Sequence, residues 1–124
     1  PVHGHTALFG VYGMLGIGLM LFVLRSMHAE QVWKPKYIRF AFWAINIGLA
    51  LMVLISVLPV GLAQTWVSVK HGLWYARSAD FMQSDILSTF RWLRVIGDTI
   101  FALGTVSLAW FIVGLKTGWS LEKK

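Results

Sequence analysis

The chain has 124 residues, of which 57% are hydrophobic and 13% are charged, and its net charge is +6. The charged fraction is about half that of an average soluble protein, and the charges fall between long apolar runs, which excludes a soluble domain. The basic residues lie mostly at the ends of those runs, so membrane lipid rather than nucleic acid is the expected partner. The chain has no cysteine, which excludes disulfides, zinc–thiolate sites, iron–sulfur clusters and a cysteine nucleophile.

The first predicted element is a membrane span over residues 2–25, which is long enough as a helix to cross a bilayer. It is rich in glycine, and Gly10, Gly13 and Gly16 are spaced three residues apart. Small residues allow helices and cofactors to approach closely in a membrane. We therefore expect a packing groove along this side of the span.

Two histidines, His3 and His5, flank a single glycine at the start of this span. Residues advance about 100° each around an α-helix, so the two imidazoles point in nearly opposite directions. One metal ion cannot easily bind both, whereas a haem on each face could take one imidazole as an axial ligand. The residues alone leave open the alternative of two buried, hydrogen-bonded histidines.

The second predicted span covers residues 37–66 and follows a polar connection at residues 25–39. Asn46 lies within its apolar part, where we expect it to donate a hydrogen bond to another helix. Pro59 lies near the far end, where we expect a kink.

The third predicted span covers residues 86–116 and follows a polar, aromatic connection at residues 67–86. Tryptophan and tyrosine in that connection indicate a membrane interface. The whole chain is therefore predicted to be one partial transmembrane domain, all-α, with three transmembrane helices.

Orientation follows from the distribution of lysine and arginine. The 25–39 connection carries four, and the tail from residue 116 carries three, whereas the opposite side carries four. Because basic residues favour the cytoplasmic side, the 25–39 loop and the C-terminus are expected in the cytoplasm.

Asp98 is an ionisable residue inside the apolar part of the third span, where a charge is costly and commonly functional. Arg91 and Arg94 precede it by seven and four residues, so all three share one helical face. One reading is a local Arg94–Asp98 ion pair that satisfies both charges. The other is a polar pocket in which Asp98 accepts a proton or hydrogen bond from a ligand hydroxyl, and the arginines bind carboxylates such as haem propionates.

The segment HGHTALFGVYGML at residues 3–15 strongly resembles the tenth transmembrane helix of the large catalytic subunit of bacterial nitric oxide reductases. These enzymes are members of the haem–copper oxidase superfamily. The resemblance continues through residues 46–52, 71–78 and 91–94 and covers essentially the whole chain. It implies the last three helices of a bundle of twelve or more.

The resemblance implies that His3 is the axial ligand of haem b3 and that His5 is an axial ligand of haem b. It also implies a non-haem iron beside haem b3, where two NO are reduced to N2O and water. The WYARS segment at residues 74–78 and Asp98 are similar to the quinol-fed branch, in which a carboxylate lies near the quinol. Such enzymes serve denitrification and electron transport in the bacterial inner membrane.

The chain departs from the family pattern because the three histidines and the glutamate expected around the non-haem iron are absent, as is the second ligand of haem b. We therefore expect the segment to be inactive alone and to need the remaining helices of the same subunit. Three alternatives remain open. They are a nitric oxide dismutase, a cytochrome c-dependent nitric oxide reductase, and a small non-enzymatic protein with three spans.

Overall fold

The computed structural model describes residues 3–122 and contains three long helices, each long and apolar enough to cross a membrane. They are α1 (Gly4–Met27), α2 (Pro35–His71) and α4 (Asp85–Thr117), and a short helix, α3 (Ala79–Met82), precedes the last of them. This architecture confirms the predicted all-α membrane fold. The predicted start of the first span at residue 2, and Lys123 and Lys124 of the basic tail, lie outside the described residues.

α2 and α4 form the tightly packed part of the bundle, and three glycines allow their backbones to meet. A Cβ built on Gly48 would lie 2.6 Å from the backbone nitrogen of Phe101. One on Gly97 would lie 2.7 Å from the backbone nitrogen of Met52, and one on Gly104 would lie 2.8 Å from that of Ile45. Small residues promote this kind of close helix approach in membranes.

α1 packs against this pair with one face only. Its residues Phe9, Met14, Ile17 and Leu21 contact the core formed by Ala41, Ile45 and Leu108. The rings of Phe9 and Phe101 meet edge to face, with centroids 4.8 Å apart. The predicted glycine groove is only partly used within the described chain, since Gly10 approaches Leu49 whereas a Cβ on Gly16 would meet nothing within 4 Å.

The first ten residues of α1, Gly4–Gly13, form a π-helix before the helix continues as an α-helix over Met14–Met27. A π-helix bonds residue i to i+5 and therefore turns less than 100° per residue. His3 and His5 are two residues apart, so their angular separation falls from about 200° towards a half turn. The opposite-face arrangement expected from the sequence is retained.

α2 also contains a π-helical turn, Met52–Val57, directly before Pro59. A proline lacks an amide N–H and its ring collides with the carbonyl four residues earlier in a regular α-helix. The wider turn accommodates Pro59 without ending the helix. α2 runs beyond the predicted span end at residue 66 to His71, where Gly72 has a φ of 88° that terminates it.

Among residues 3–122, Asn46 donates within its own helix and not to another helix as expected from the sequence. Its amide Nδ2 donates to the carbonyl oxygen of Phe42 at 2.8 Å, one turn earlier in α2. The expectation was wrong because the preceding turn of its own helix offers an acceptor within reach.

The chain end after α4 folds back onto the connection between α1 and α2. Gly118, with a φ of 89°, reverses the chain after Thr117. The Lys34 amide then donates to the Ser120 carbonyl at 2.8 Å, and the Glu122 amide donates to the Val32 carbonyl at 2.8 Å. The 25–39 connection and the tail therefore lie at the same end of the bundle.

We predict that Gly97→Ala destabilises the bundle by about 1–3 kcal/mol, because the added methyl group would overlap backbone atoms that cannot move independently. The matched control is Gly16→Ala, which gains helix propensity and meets nothing within 4 Å among the described residues. Thermal unfolding of the detergent-purified enzyme checks both variants. Equal midpoints for the two variants would show that the α2–α4 contact is looser than described.

Candidate functional site

A polar cluster formed by His5, Arg94 and Asp98 lies where α1, α2 and α4 meet. The Arg94 guanidinium donates from Nη2 to His5 Nε2 at 3.1 Å. It also donates from Nε to Asp98 Oδ1 at 3.2 Å, and Nε lies 3.1 Å from Oδ2. Residues 89 positions apart in sequence are thus joined through one guanidinium.

Local helix geometry positions each member of the cluster. Arg94 and Asp98 lie four residues apart on α4, which places their side chains one above the other on the same face. His5 lies in the first turn of the π-helical part of α1. Gly97 draws α4 against α2, and its neighbour Asp98 lines the same cavity as Leu49 and Met52 of α2.

The contacts place opposite charges side by side within the apolar span. A guanidinium has donors only, so His5 Nε2 is the acceptor of the Arg94 hydrogen bond. Arg94 and Asp98 form an ion pair within α4. Pairing of this kind makes ionisable groups tolerable at membrane depth.

The cluster borders a cavity of about 610 Å³. The remaining walls are glycine and apolar side chains, namely Gly4, Phe9, Leu49, Met52 and Phe101. A mostly apolar cavity with a few convergent polar groups is the usual form of a small-molecule or cofactor site.

The other two predicted site residues lie outside this cavity. His3 is exposed and is not among the residues that line the cavity. Arg91 is also exposed, and its Nη2 donates to the Met82 carbonyl oxygen at 2.9 Å, which ties α4 to α3. Of the three residues predicted to share one helical face, Arg94 and Asp98 line the cavity and Arg91 does not.

Sequence reasoning found the Arg94–Asp98 pair but missed its link to His5. It also missed the apolar walls contributed by Leu49, Met52 and Phe101. Gly48 and Gly97 were the available signal for the walls from α2 and α4, because paired glycines indicate where two helices approach closely.

The fold and site together define a multi-pass helical membrane protein with an imidazole directed into an apolar cavity. The chain matches the family model described as cytochrome c and quinol oxidase polypeptide I over residues 1–100. Because this match covers most of the chain, the protein belongs to that family. A search of curated proteins finds no match to it.

Family membership establishes the broad class of the protein. It is an oxidoreductase of the haem–copper oxidase type in a membrane, and proteins of this family generally bind haem and metal. Within residues 3–122, no group of three or more His, Asp or Glu side chains converges to hold a metal ion. Axial ligation of a haem needs only one imidazole on a face of the ring, so one histidine from this chain is enough for each haem.

The described residues fit a haem on the His5 side. The cavity beside His5 is large and mostly apolar. His5 Nε2 accepts from Arg94 Nη2 in the structure, so iron ligation through this nitrogen would replace that hydrogen bond and leave Nη2 able to donate to a propionate carboxylate. His5 would hold the iron and Arg94 would bind a negative substituent, while the haem itself would supply one-electron chemistry.

We predict that Arg94 and Asp98 are energetically coupled, by about 1 kcal/mol, given that both side chains are about four-tenths exposed. A double-mutant cycle with Arg94→Gln, Asp98→Asn and the combined variant measures this, using thermal unfolding of the purified enzyme. We expect the combined variant to lose less free energy of unfolding than the two single variants lose in total. Strict additivity would mean that the pair contributes no net stabilisation.

Proposed function

We propose that this chain forms the haem-ligand helix and the two following helices of a quinol-dependent nitric oxide reductase in a bacterial inner membrane. His3 would be the axial ligand of haem b3 and His5 an axial ligand of haem b. The remaining helices of the subunit would supply the non-haem iron ligands. The observation that carries the proposal is that His5, Arg94 and Asp98 line one mostly apolar cavity where α1, α2 and α4 meet.

This arrangement supports a quinol donor because it places a carboxylate and the proposed haem-ligand imidazole at the edge of one cavity. A quinol that gives up two electrons must also release two protons. Asp98 would accept a hydrogen bond from the quinol hydroxyl and then take one proton. Arg94 would hold the carboxylate in place through its Nε–H, at 3.2 Å in the structure.

The overall reaction balances with one quinol for each pair of NO molecules. Two NO, two electrons and two protons give N2O and water, and the quinol becomes a quinone. The resemblance of residues 3–15 to the tenth helix of nitric oxide reductases supports NO as the substrate. Residues 74–78 and Asp98 support the quinol-fed branch over the branch fed by cytochrome c.

Orientation is part of the proposal, with the 25–39 loop and the tail in the cytoplasm. The contacts between that loop and residues 118–122 support placing both on one side. The His5–Arg94–Asp98 cluster lies towards the other end of the bundle and would open towards the outer leaflet.

The direct test is gas analysis of the purified native enzyme with NO and a soluble quinol. The proposal expects one N2O for each quinol oxidised. Formation of N2 and O2 from NO without quinol would identify a dismutase. Turnover with reduced cytochrome c but not with quinol would identify a cytochrome c-dependent nitric oxide reductase. A chain that purifies without haem would favour a small non-enzymatic membrane protein.

We predict that His3→Ala and His5→Ala have different spectral effects, because the two imidazoles face opposite sides of α1. His3→Ala should remove the high-spin haem b3 signal together with NO turnover. His5→Ala should remove the bis-histidine low-spin signal. Reduced-minus-oxidised spectra of purified variants check this, with His28→Ala as a control in the connection between α1 and α2. Full occupancy of both haems in the two variants would refute the ligand assignment.

We predict that Asp98→Asn slows quinol oxidation by roughly 10²-fold or more, the usual range for losing a positioned acid–base group. The low-spin haem spectrum should stay intact, since the asparagine still offers Arg94 an oxygen acceptor. Asp85→Asn at the start of α4 is the matched control. Stopped-flow measurement of haem reduction by quinol is decisive, and an unchanged rate would remove Asp98 from the quinol site.

A further inference from the structure

The end of the bundle opposite the His5–Arg94–Asp98 cluster carries three cations at the start of α2. Lys34, Lys36 and Arg39 all border one open groove of about 700 Å³, whose other walls are Pro35, Phe40 and Trp43. Lys36 and Arg39 lie three residues apart, so they are neighbours on the helix surface. No Asp or Glu among residues 3–122 forms a salt bridge with any of the three, since Arg94–Asp98 is the ion pair found there.

Lys34 is held at this groove by the folded-back chain end. Its Nζ donates to the Trp119 carbonyl oxygen at 2.9 Å, and its amide donates to the Ser120 carbonyl oxygen. A carbonyl oxygen satisfies a donor without cancelling the charge. The tail therefore holds a positive charge beside Lys36 and Arg39 through a carbonyl oxygen, with no salt bridge to Lys34 among residues 3–122.

A second groove of about 450 Å³ lies on the other side of Phe40. Lys36 and Phe40 border both grooves, and the second is completed by side chains of α2 and α4, namely Tyr37, Leu103, Val106, Ser107 and Trp110. Phe40 is 52% exposed and stands between the two grooves. Two apolar grooves thus meet beneath a single cationic patch.

The aromatic side chains around this patch place it at the level of lipid headgroups. Tyr37, Trp43 and Trp110 line the grooves close to the cations. Tyrosine and tryptophan are enriched at the boundary between hydrocarbon and water. Basic pockets between transmembrane helices bind the headgroups of anionic lipids.

We propose that this basic patch and its two grooves form a binding site for one anionic phospholipid. The phosphate lies between Lys36 and Arg39, with Lys34 beside it, and one acyl chain runs on each side of Phe40. Charge complementarity favours this occupant over another helix, which would bury the cations unless it also supplied carboxylates. The two grooves favour a lipid with two chains over a soluble phosphate.

The test uses the native enzyme in phosphatidylcholine nanodiscs that contain spin-labelled phosphatidylglycerol. We expect the wild type to immobilise phosphatidylglycerol in preference to spin-labelled phosphatidylcholine. Lys36→Gln combined with Arg39→Gln should lower that preference at least about tenfold, given about 1 kcal/mol for each basic residue near an anionic surface. Lys70→Gln combined with Arg77→Gln, at the other end of the bundle, is the charge-matched control and should keep the preference.

A second pair of variants tests the acyl grooves. Val106→Trp fills the smaller groove and should weaken phosphatidylglycerol retention by about threefold or more, roughly the effect of losing one methylene contact. Leu62→Trp, at a similarly exposed position of α2 (62% against 65%), should have no effect.

Three results would overturn the proposal. They are an unchanged preference in the Lys36 and Arg39 double variant, an equal loss in the Lys70 and Arg77 control, and tight binding of soluble glycerophosphate in competition with the lipid. An unchanged preference would show that Lys36 and Arg39 do not bind the lipid. An equal loss in the control would show that the preference depends on overall charge. Tight binding of glycerophosphate would show that the grooves contribute nothing to binding.

Discussion

The close approach of α2 and α4 is the constraint on which the rest of the structure depends. Gly48, Gly97 and Gly104 bring the two backbones together, and no larger side chain fits at these points without moving backbone atoms. In a bilayer the lipid is as apolar as the side chains, so close packing rather than hydrophobic burial holds helices together. The crossing fixes the height and rotation of α4, and thereby positions both ends of the bundle.

At one end, this crossing allows an ionised pair to exist at membrane depth. Asp98 lines one cavity with Leu49 and Met52 of α2, and Arg94 lies one turn earlier on the same face of α4. A guanidinium has more donors than one carboxylate can accept. His5 accepts one further N–H of Arg94, which connects α1 to α4 in addition to the contact between the Phe9 and Phe101 rings.

Much of the fold could be predicted from the sequence, because span length and apolar character are local properties. The three helices, the opposed histidines and the Arg94–Asp98 pair all follow from spacing along a helix. The remainder depends on contacts between distant segments. The His5–Arg94 bond joins residues 89 positions apart, and the π-helical Gly4–Gly13 segment has no signature in apolar spacing. Asn46 shows the same limit, since its spacing could not reveal which carbonyl it would reach.

The two ends of the bundle stabilise charged side chains in a membrane in different ways, and this difference is relevant to function. Near His5, the Arg94 and Asp98 charges are paired within the chain. At the start of α2, Lys34, Lys36 and Arg39 form no salt bridge within residues 3–122, at a depth where the headgroup region can supply the anion. The internally paired end needs no anion from the membrane. The unpaired end is suited to anchoring, because its partner must come from the membrane and its tail contacts hold the cations ready for it.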